Sequence, residues 1–254
     1  MSPSWRERLQ VELGAQALRV RRLSRGWRPR VLADEQGALV ANTPEAAAVA
    51  LSAALAPLAL RGLRAEVMLS GDWVRLALQG DAAGLRGPAE RQAAATHALR
   101  RVYGDEAARW QAAACDAGPG LLLAAGVDAA LVERLRGTLQ AAGAKLASVQ
   151  PSFAQAVNRC RRWLGRPGWL LCLEPGLATL AWCDGQGLRT LRRHRLRRSL
   201  REELPVWIEQ ARLTEGHGEA ESELTIACRG ALPGDMAELS LATRVVALDG
   251  GEAR

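Results

Sequence analysis

The sharpest chemical feature of the sequence is a run of arginines. Arg189, Arg192, Arg193, Arg195, Arg197, Arg198 and Arg201 follow one another with no acidic residue between them. Guanidinium groups at that density suit an anionic partner: nucleic acid, lipid headgroups or an acidic protein. The same run also suits a solvated strand edge, where charge discourages edge-to-edge pairing. No Trp, Tyr or Phe is interleaved and no recognised nucleic-acid module accompanies the run. A solvated edge or a contact with protein or membrane is therefore preferred over a nucleic-acid site.

Other chemistry finds less support. Lys145 is the only lysine, and its setting, Ala-Gly-Ala-Lys-Leu, is not a GxxxxGK[ST] phosphate loop. His97, His194 and His217 share no metal-ligand spacing with one another or with cysteine. No GxSxG elbow marks a nucleophilic serine. Gly185-Gln-Gly187 is a GxG only, which a hairpin turn explains better than dinucleotide binding. Cys115, Cys160, Cys172, Cys183 and Cys228 are odd in number, widely spaced and without a CxxC pair, so small buried hydrophobes are expected rather than disulfides or a zinc ribbon.

Composition bounds the rest. The 254 residues carry 34 Lys+Arg and 27 Asp+Glu, a net charge of +7. The seven arginines of residues 189–201 account for that excess, so the remainder is balanced. Hydrophobic residues at 48% and charged residues at 24% fit a globular protein able to bury one large core or two smaller ones. Eight Trp stand against one Tyr and one Phe, and no physical reason for that bias is evident. The N-terminus has no apolar signal segment. The longest uncharged stretch, 46–60, contains Pro57 and falls short of the ~20 apolar residues of a membrane span. A cytosolic protein is expected, one that could still dock on a membrane complex.

The elements that would position these groups alternate strand and helix. Short strand-like runs at 9–13, 18–20 and 27–34 read as a meander. Thr43 as N-cap, Pro44 at the first helical position and Glu45 in the first turn then start a helix. Strands are expected at 65–69 and 73–78, and a loop at 80–87. A helix at 88–102 and strands at 111–115 and 121–126, around a turn at 116–120, follow. Asp128 N-caps a helix with Leu131, Leu135 and Leu139 on one face and Gly143 just past its end. A strand at 144–149 leads into a helix from Pro151 carrying Phe153, Val157, Cys160 and Leu164 on one face. Three more strands, at 169–174, 177–183 and 188–196, precede a helix at 199–213. Ser199 and Glu202 fit a capping box there, and Pro205 kinks that helix or marks its true start. A strand at 224–228, a short helix after Pro233 and a strand at 244–248 close the chain. Three strands, helix, strand, helix thus occurs near both ends. The pattern predicts an α/β fold with mixed sheets.

Three stretches carry a resemblance. They are 11–23, Val-Glu-Leu-Gly-Ala-Gln-Ala-Leu-Arg-Val-Arg-Arg-Leu; 121–149 leading into Pro151-Ser-Phe-Ala-Gln-Ala; and Leu173-Glu-Pro-Gly-Leu-Ala-Thr-Leu180. Together they resemble the PilM, MshI and GspL branch of the actin-like ATPase superfamily, found in type IV pilus and type II secretion platforms. The resemblance covers nearly the whole chain, and its middle stretch is the most specific part. It implies a two-lobed actin-like fold. The first lobe would span 1–150 with an inserted subdomain at about 72–127. An interlobe helix and the second lobe would span 151–254.

The resemblance also implies a nucleotide site of two glycine turns, each headed by an aspartate, and a Gly-Gly turn for the adenosine. Here Glu12 and Gly14 take the first positions, followed by Ala15, Gln16 and Ala17 in place of the usual serines. Glu174, Pro175 and Gly176 take the second, with Thr179 matching a family threonine. The adenosine turn falls at Gly230, where Arg229 precedes it and only one glycine of the pair survives. Glutamate keeps the charge but sets the carboxylate one methylene further out, which disturbs metal geometry. Pro175 removes a backbone donor. ATP and Mg²⁺ are thus doubtful cofactors, and no catalytic residue is assigned.

The resulting expectation is a non-catalytic scaffold that holds the cytoplasmic tail of a PilN-like membrane protein and contacts other platform subunits. Residues 73–78 and 121–127 form the candidate docking region, by resemblance alone. The rivals are an active actin-like ATPase or kinase using Glu12 and Glu174, and a nucleic-acid binder acting through residues 189–201.

Overall fold

In the computed structural model, residues 7–26, 29–215, 223–228 and 243–248 are described. The chain divides into two compact units. The first comprises Met1–Arg75, Ala108–Gln111 and Gly126–Ser152; the second comprises Leu76–Ala107, Ala112–Ala125 and Phe153–Arg254.

The first unit is built on β1 (Arg8–Leu13), β2 (Ala17–Leu23), β3 (Val31–Ala38), α1 (Pro44–Leu55) and β4 (Arg64–Leu69). With α3 (Ala129–Ala141) and β8 (Lys145–Pro151) they form a sheet of order β3-β2-β1-β4-β8. The first three strands are antiparallel neighbours, whereas β4 and β8 join in parallel. Alternation in β1 and β2 sends Leu9, Val11, Leu13, Leu18 and Val20 to one face, where they are buried. The opposite face carries Gln10, Glu12, Arg19 and Arg21. The helix signals act as read: Thr43 Oγ1 accepts from Ala46 N at 3.3 Å, and Asp128 Oδ1 accepts from Ala130 N at 2.8 Å. Gly143 follows α3 with φ +85°.

In the second unit, β9 (Pro167–Glu174), β10 (Leu177–Asp184), β11 (Leu188–Arg195), α5 (Leu200–Glu215), β12 (Glu223–Cys228) and β13 (Thr243–Ala247) repeat the scheme. The sheet order, β11-β10-β9-β12-β13, matches the first sheet strand for strand, with the same antiparallel and parallel pairings. The central strands β9 and β10 are buried on both faces, which explains why their sequences are continuously apolar rather than alternating.

Between these repeats lie β5 (Val74–Gln79), α2 (Pro88–Tyr103), β6 (Trp110–Gly118) and β7 (Leu121–Asp128), followed after β8 by α4 (Ser152–Cys160). The three strands form their own sheet, β5-β7-β6. Most of this insertion, expected in the first lobe, groups with the second unit. The reason is a shared core: Ala117 and Leu123 are buried with Phe153, Cys160, Leu170 and Cys183, and Leu76, Leu78 and Leu121 pack against that cluster. The Gly185–Gly187 hairpin turn also presses on β6. A Cβ at Gly187 would lie 2.2 Å from the Ala117 carbonyl oxygen.

Several boundaries differ from the sequence reading. The third strand begins at Val31 rather than 27, and residues 27 and 28 lie outside the described residues. Strand β6 continues to Gly118, leaving a tighter turn than 116–120. Helix α4 ends at Cys160, so Leu164 reaches the apolar cluster from the turn after it. Pro205 does not start α5. It sits inside the helix, where it has no N–H to donate to the Arg201 carbonyl four residues back.

Candidate functional site

The first glycine turn lies in the β1–β2 hairpin. Glu12 pairs across the strands with Arg19, and Gln10 with Arg21. Because alternate residues share a face, Arg21 is a diagonal neighbour of Glu12. Its guanidinium Nη2 donates to Glu12 Oε1, and Gln10 Nε2 donates to the same oxygen at 3.1 Å. Both ends of this ion pair are nearly withdrawn from solvent, Glu12 at 8% exposure and Arg21 at 7%. The turn itself is tied down. Gly14 N donates to Ala17 O at 2.9 Å, and Trp73 Nε1 donates to Gly14 O at 2.7 Å. The glycine N–H that a phosphate would use is thus engaged within the hairpin.

The second glycine turn lies in the β9–β10 hairpin. Glu174 ends β9 opposite Leu177, with Pro175 and Gly176 between them. The φ of +71° at Gly176, with proline before it, suits a type II turn. Glu174 and Thr179 are both buried. Pro175 offers no N–H, and Gly176 O accepts from Leu196 N at 3.2 Å. Gly230 lies outside the described residues, together with Arg229, the short helix after Pro233, and His217.

The arginine run occupies the edge strand β11, the turn after it and the first residue positions of α5. Arg189 Nε donates to Asp184 Oδ2 at 2.5 Å, and Arg192 Nη2 donates to Thr214 Oγ1 at 2.6 Å. Asp184 is held below the usual carboxylate range. Burial raises its pKa, but the N–H of Gln186, the Arg189 guanidinium and the N–H of Gly187 together outweigh it. Arg193, Arg195, Arg197 and Arg198 line one cavity of about 530 Å³.

Two groups organise that cavity, and neither stands out in the sequence. Glu203 accepts from the backbone N–H of Arg198 at 2.9 Å and of Arg197 at 3.2 Å. Only the serine half of the expected capping box is seen, Ser199 Oγ accepting from Glu202 N at 3.4 Å; the acid that reaches back is Glu203 rather than Glu202, and it binds the two residues before the N-cap. His194 stacks on Trp207, with ring centroids 4.3 Å apart and planes 11° from parallel. Burial lowers the His194 pKa, Arg192 lowers it further, and Glu203 only partly offsets them. Alternation along β11 and the i, i+4 spacing of Glu203 and Trp207 on α5 were the signals for this arrangement.

The other groups stay apart. Among the described residues, no cluster of three or more His, Cys, Asp or Glu could hold a metal. Four cysteines are buried and Cys115 is exposed, none in a disulfide. No described helix is long and apolar enough to cross a membrane.

Comparison with solved structures decides the fold. The cytoplasmic domain of EpsL, an inner-membrane component of the type II secretion system of Vibrio cholerae, is 15% identical and matches with a TM-score of 0.56 over 93% of this chain and 85% of that one. A chain of the PilM–PilN type IV pilus biogenesis complex is 16% identical and matches with a TM-score of 0.64 over 94% and 88%. A Bacteroides thetaiotaomicron protein with an actin-like ATPase fold and unknown function is 8% identical and matches with a TM-score of 0.64 over 97% and 94%. The chain has the actin-like ATPase fold. The duplicated five-stranded sheets are the two halves of the actin-like fold, and the hairpins of Glu12 and Glu174 head them. No family model matches the sequence, and no curated protein matches it.

Proposed function

We propose that the protein is a cytoplasmic scaffold of an inner-membrane assembly platform of the type IV pilus or type II secretion kind. It holds the cytoplasmic tail of a PilN-like membrane protein and does not turn over nucleotide. The likeness to the EpsL cytoplasmic domain and to the PilM–PilN complex supports the platform. The observation that carries the non-catalytic part is the buried Glu12–Arg21 pair. A carboxylate neutralised by an arginine is poorly placed to orient a hydrated Mg²⁺, and the turn beside it offers no hydroxyl and has its Gly14 donor engaged.

The proposed tail-binding region, 73–78 and 121–127, is the β5–β7 pair. Val74, Ala77, Leu122 and Ala124 are buried there, and β5 is an edge of its sheet. An extended tail would therefore engage the strand edge rather than these side chains. The test is capture of the purified protein by an immobilised peptide of the cytoplasmic N-terminus of a PilN-like single-span protein from the same genome. Micromolar binding, lost when Val74 is replaced by proline, supports the reading. Absence of binding by any neighbouring platform protein contradicts it.

A further inference from the structure

We infer that the arginine-lined cavity of the second unit is a docking site for acidic phospholipid headgroups. The inference deepens the platform reading, because a platform scaffold works beside a membrane, but its chemistry stands on the cavity. Four guanidinium-bearing residues line it, Arg193, Arg195, Arg197 and Arg198, against the carboxylates of Glu202 and Glu203. One of those carboxylates is already engaged. Glu203 receives the N–H groups of Arg197 and Arg198, which pins the turn that carries both arginines. The side chains of Arg197 and Arg198 form no hydrogen bond or ion pair among the described residues, so two charges on a fixed turn remain for an external anion.

The choice of lipid over nucleic acid rests on what surrounds the arginines. Val206 lines the same cavity and is 53% exposed, and Leu213, seven residues on along α5, is 77% exposed. That spacing sets both aliphatic side chains on one helix face beside the basic cluster. Basic residues with neighbouring apolar side chains suit the headgroup boundary of an anionic bilayer. Single-stranded nucleic acid instead needs exposed aromatic platforms. The aromatic residue present, Trp207, is buried and already stacked on His194.

The experiment is co-sedimentation of the full chain with phosphatidylcholine vesicles, with and without a third phosphatidylglycerol, at low and physiological salt. Binding to the anionic vesicles alone, weakened by salt, is expected. The Arg197→Gln/Arg198→Gln variant should lose about tenfold or more in partitioning. Arg100→Gln/Arg101→Gln, which removes the same charge from exposed positions on α2, should bind like the parent. Equal loss in both variants, or no binding to anionic vesicles, overturns the inference. So does displacement of the protein from vesicles by millimolar glycerol phosphate, which would make this a small-anion site, or tighter retention on an oligonucleotide at equal salt. Failure here with tail capture intact removes the lipid site alone, whereas failure of tail capture with vesicle binding intact removes the scaffold reading alone.

Discussion

The guanidinium of Arg21 lies against the carboxylate of Glu12 across the β1–β2 pair, and both side chains are nearly buried. Removing one member of such a pair leaves an uncompensated charge out of water. Glu12→Gln is expected to lower unfolding stability by about 3–5 kcal/mol. Glu12→Leu/Arg21→Met, which removes both charges, should cost less than the single change. Urea unfolding of the three proteins checks this, and a single variant as stable as the parent would show that the pair is not fixed.

Acid should weaken the second unit through His194. Its folded pKa is lowered from the ordinary histidine value of about 6.5 by burial first and by Arg192 second, with Glu203 opposing. The unfolded chain therefore binds the proton more readily. Stability is full above the unfolded pKa and is lost as pH falls from about 6.5 through the lower folded value. His194→Phe keeps a ring on Trp207 but removes the titration. Its urea midpoint should change less between pH 7.5 and pH 5 than that of the parent.

Thiol chemistry is expected at one position. Burial pushes Cys183 up to about 12, helped by Asp184 and Cys160, and pushes Cys160 up to about 11 against the pull of Arg159, Arg162 and Arg244. Cys115 is exposed, with its thiol held above its usual value by desolvation and Asp116. A disulfide reagent should modify Cys115 alone in the native protein, faster as pH rises, and all five thiols after denaturation. Rapid modification of a second thiol would contradict the packing around Cys160 and Cys183.

Two glycines should respond in opposite directions. A Cβ at Gly187 would meet the backbone of Ala117 and Gly118, so Gly187→Ala should cost at least about 1–3 kcal/mol. Gly137 lies inside α3 with open space around it, so Gly137→Ala should stabilise by roughly 0.5–1 kcal/mol. Thermal unfolding separates them.

Much of the fold was legible because its signals are local. Leu9, Val11 and Leu13 alternate, Thr43-Pro44-Glu45 starts a helix, Asp128 and Gly143 bracket another, and the same order recurs after Pro167. The allocation of the insertion was not legible, because it depends on contacts such as Gly187 against Ala117 that join residues 70 positions apart. Strands β9 and β10 were legible from short apolar runs bounded by glycine turns, although burial on both faces removes their alternation. At the site, the substitutions at Glu12, Ala15 and Pro175 could be read directly. The Arg21 partner could not, since it follows from the hairpin register. Glu203 was hidden for a similar reason: the standard capping box points to Glu202, and only the turn geometry carries Arg197 and Arg198 to the next residue.

In the proposed scaffold role, this actin-like chain binds partners without using nucleotide. Isothermal titration of the purified protein with ATP and Mg²⁺ tests it most directly. No saturable heat is expected at micromolar concentrations. Micromolar binding, accompanied by phosphate release that disappears in Glu174→Ala, would contradict it.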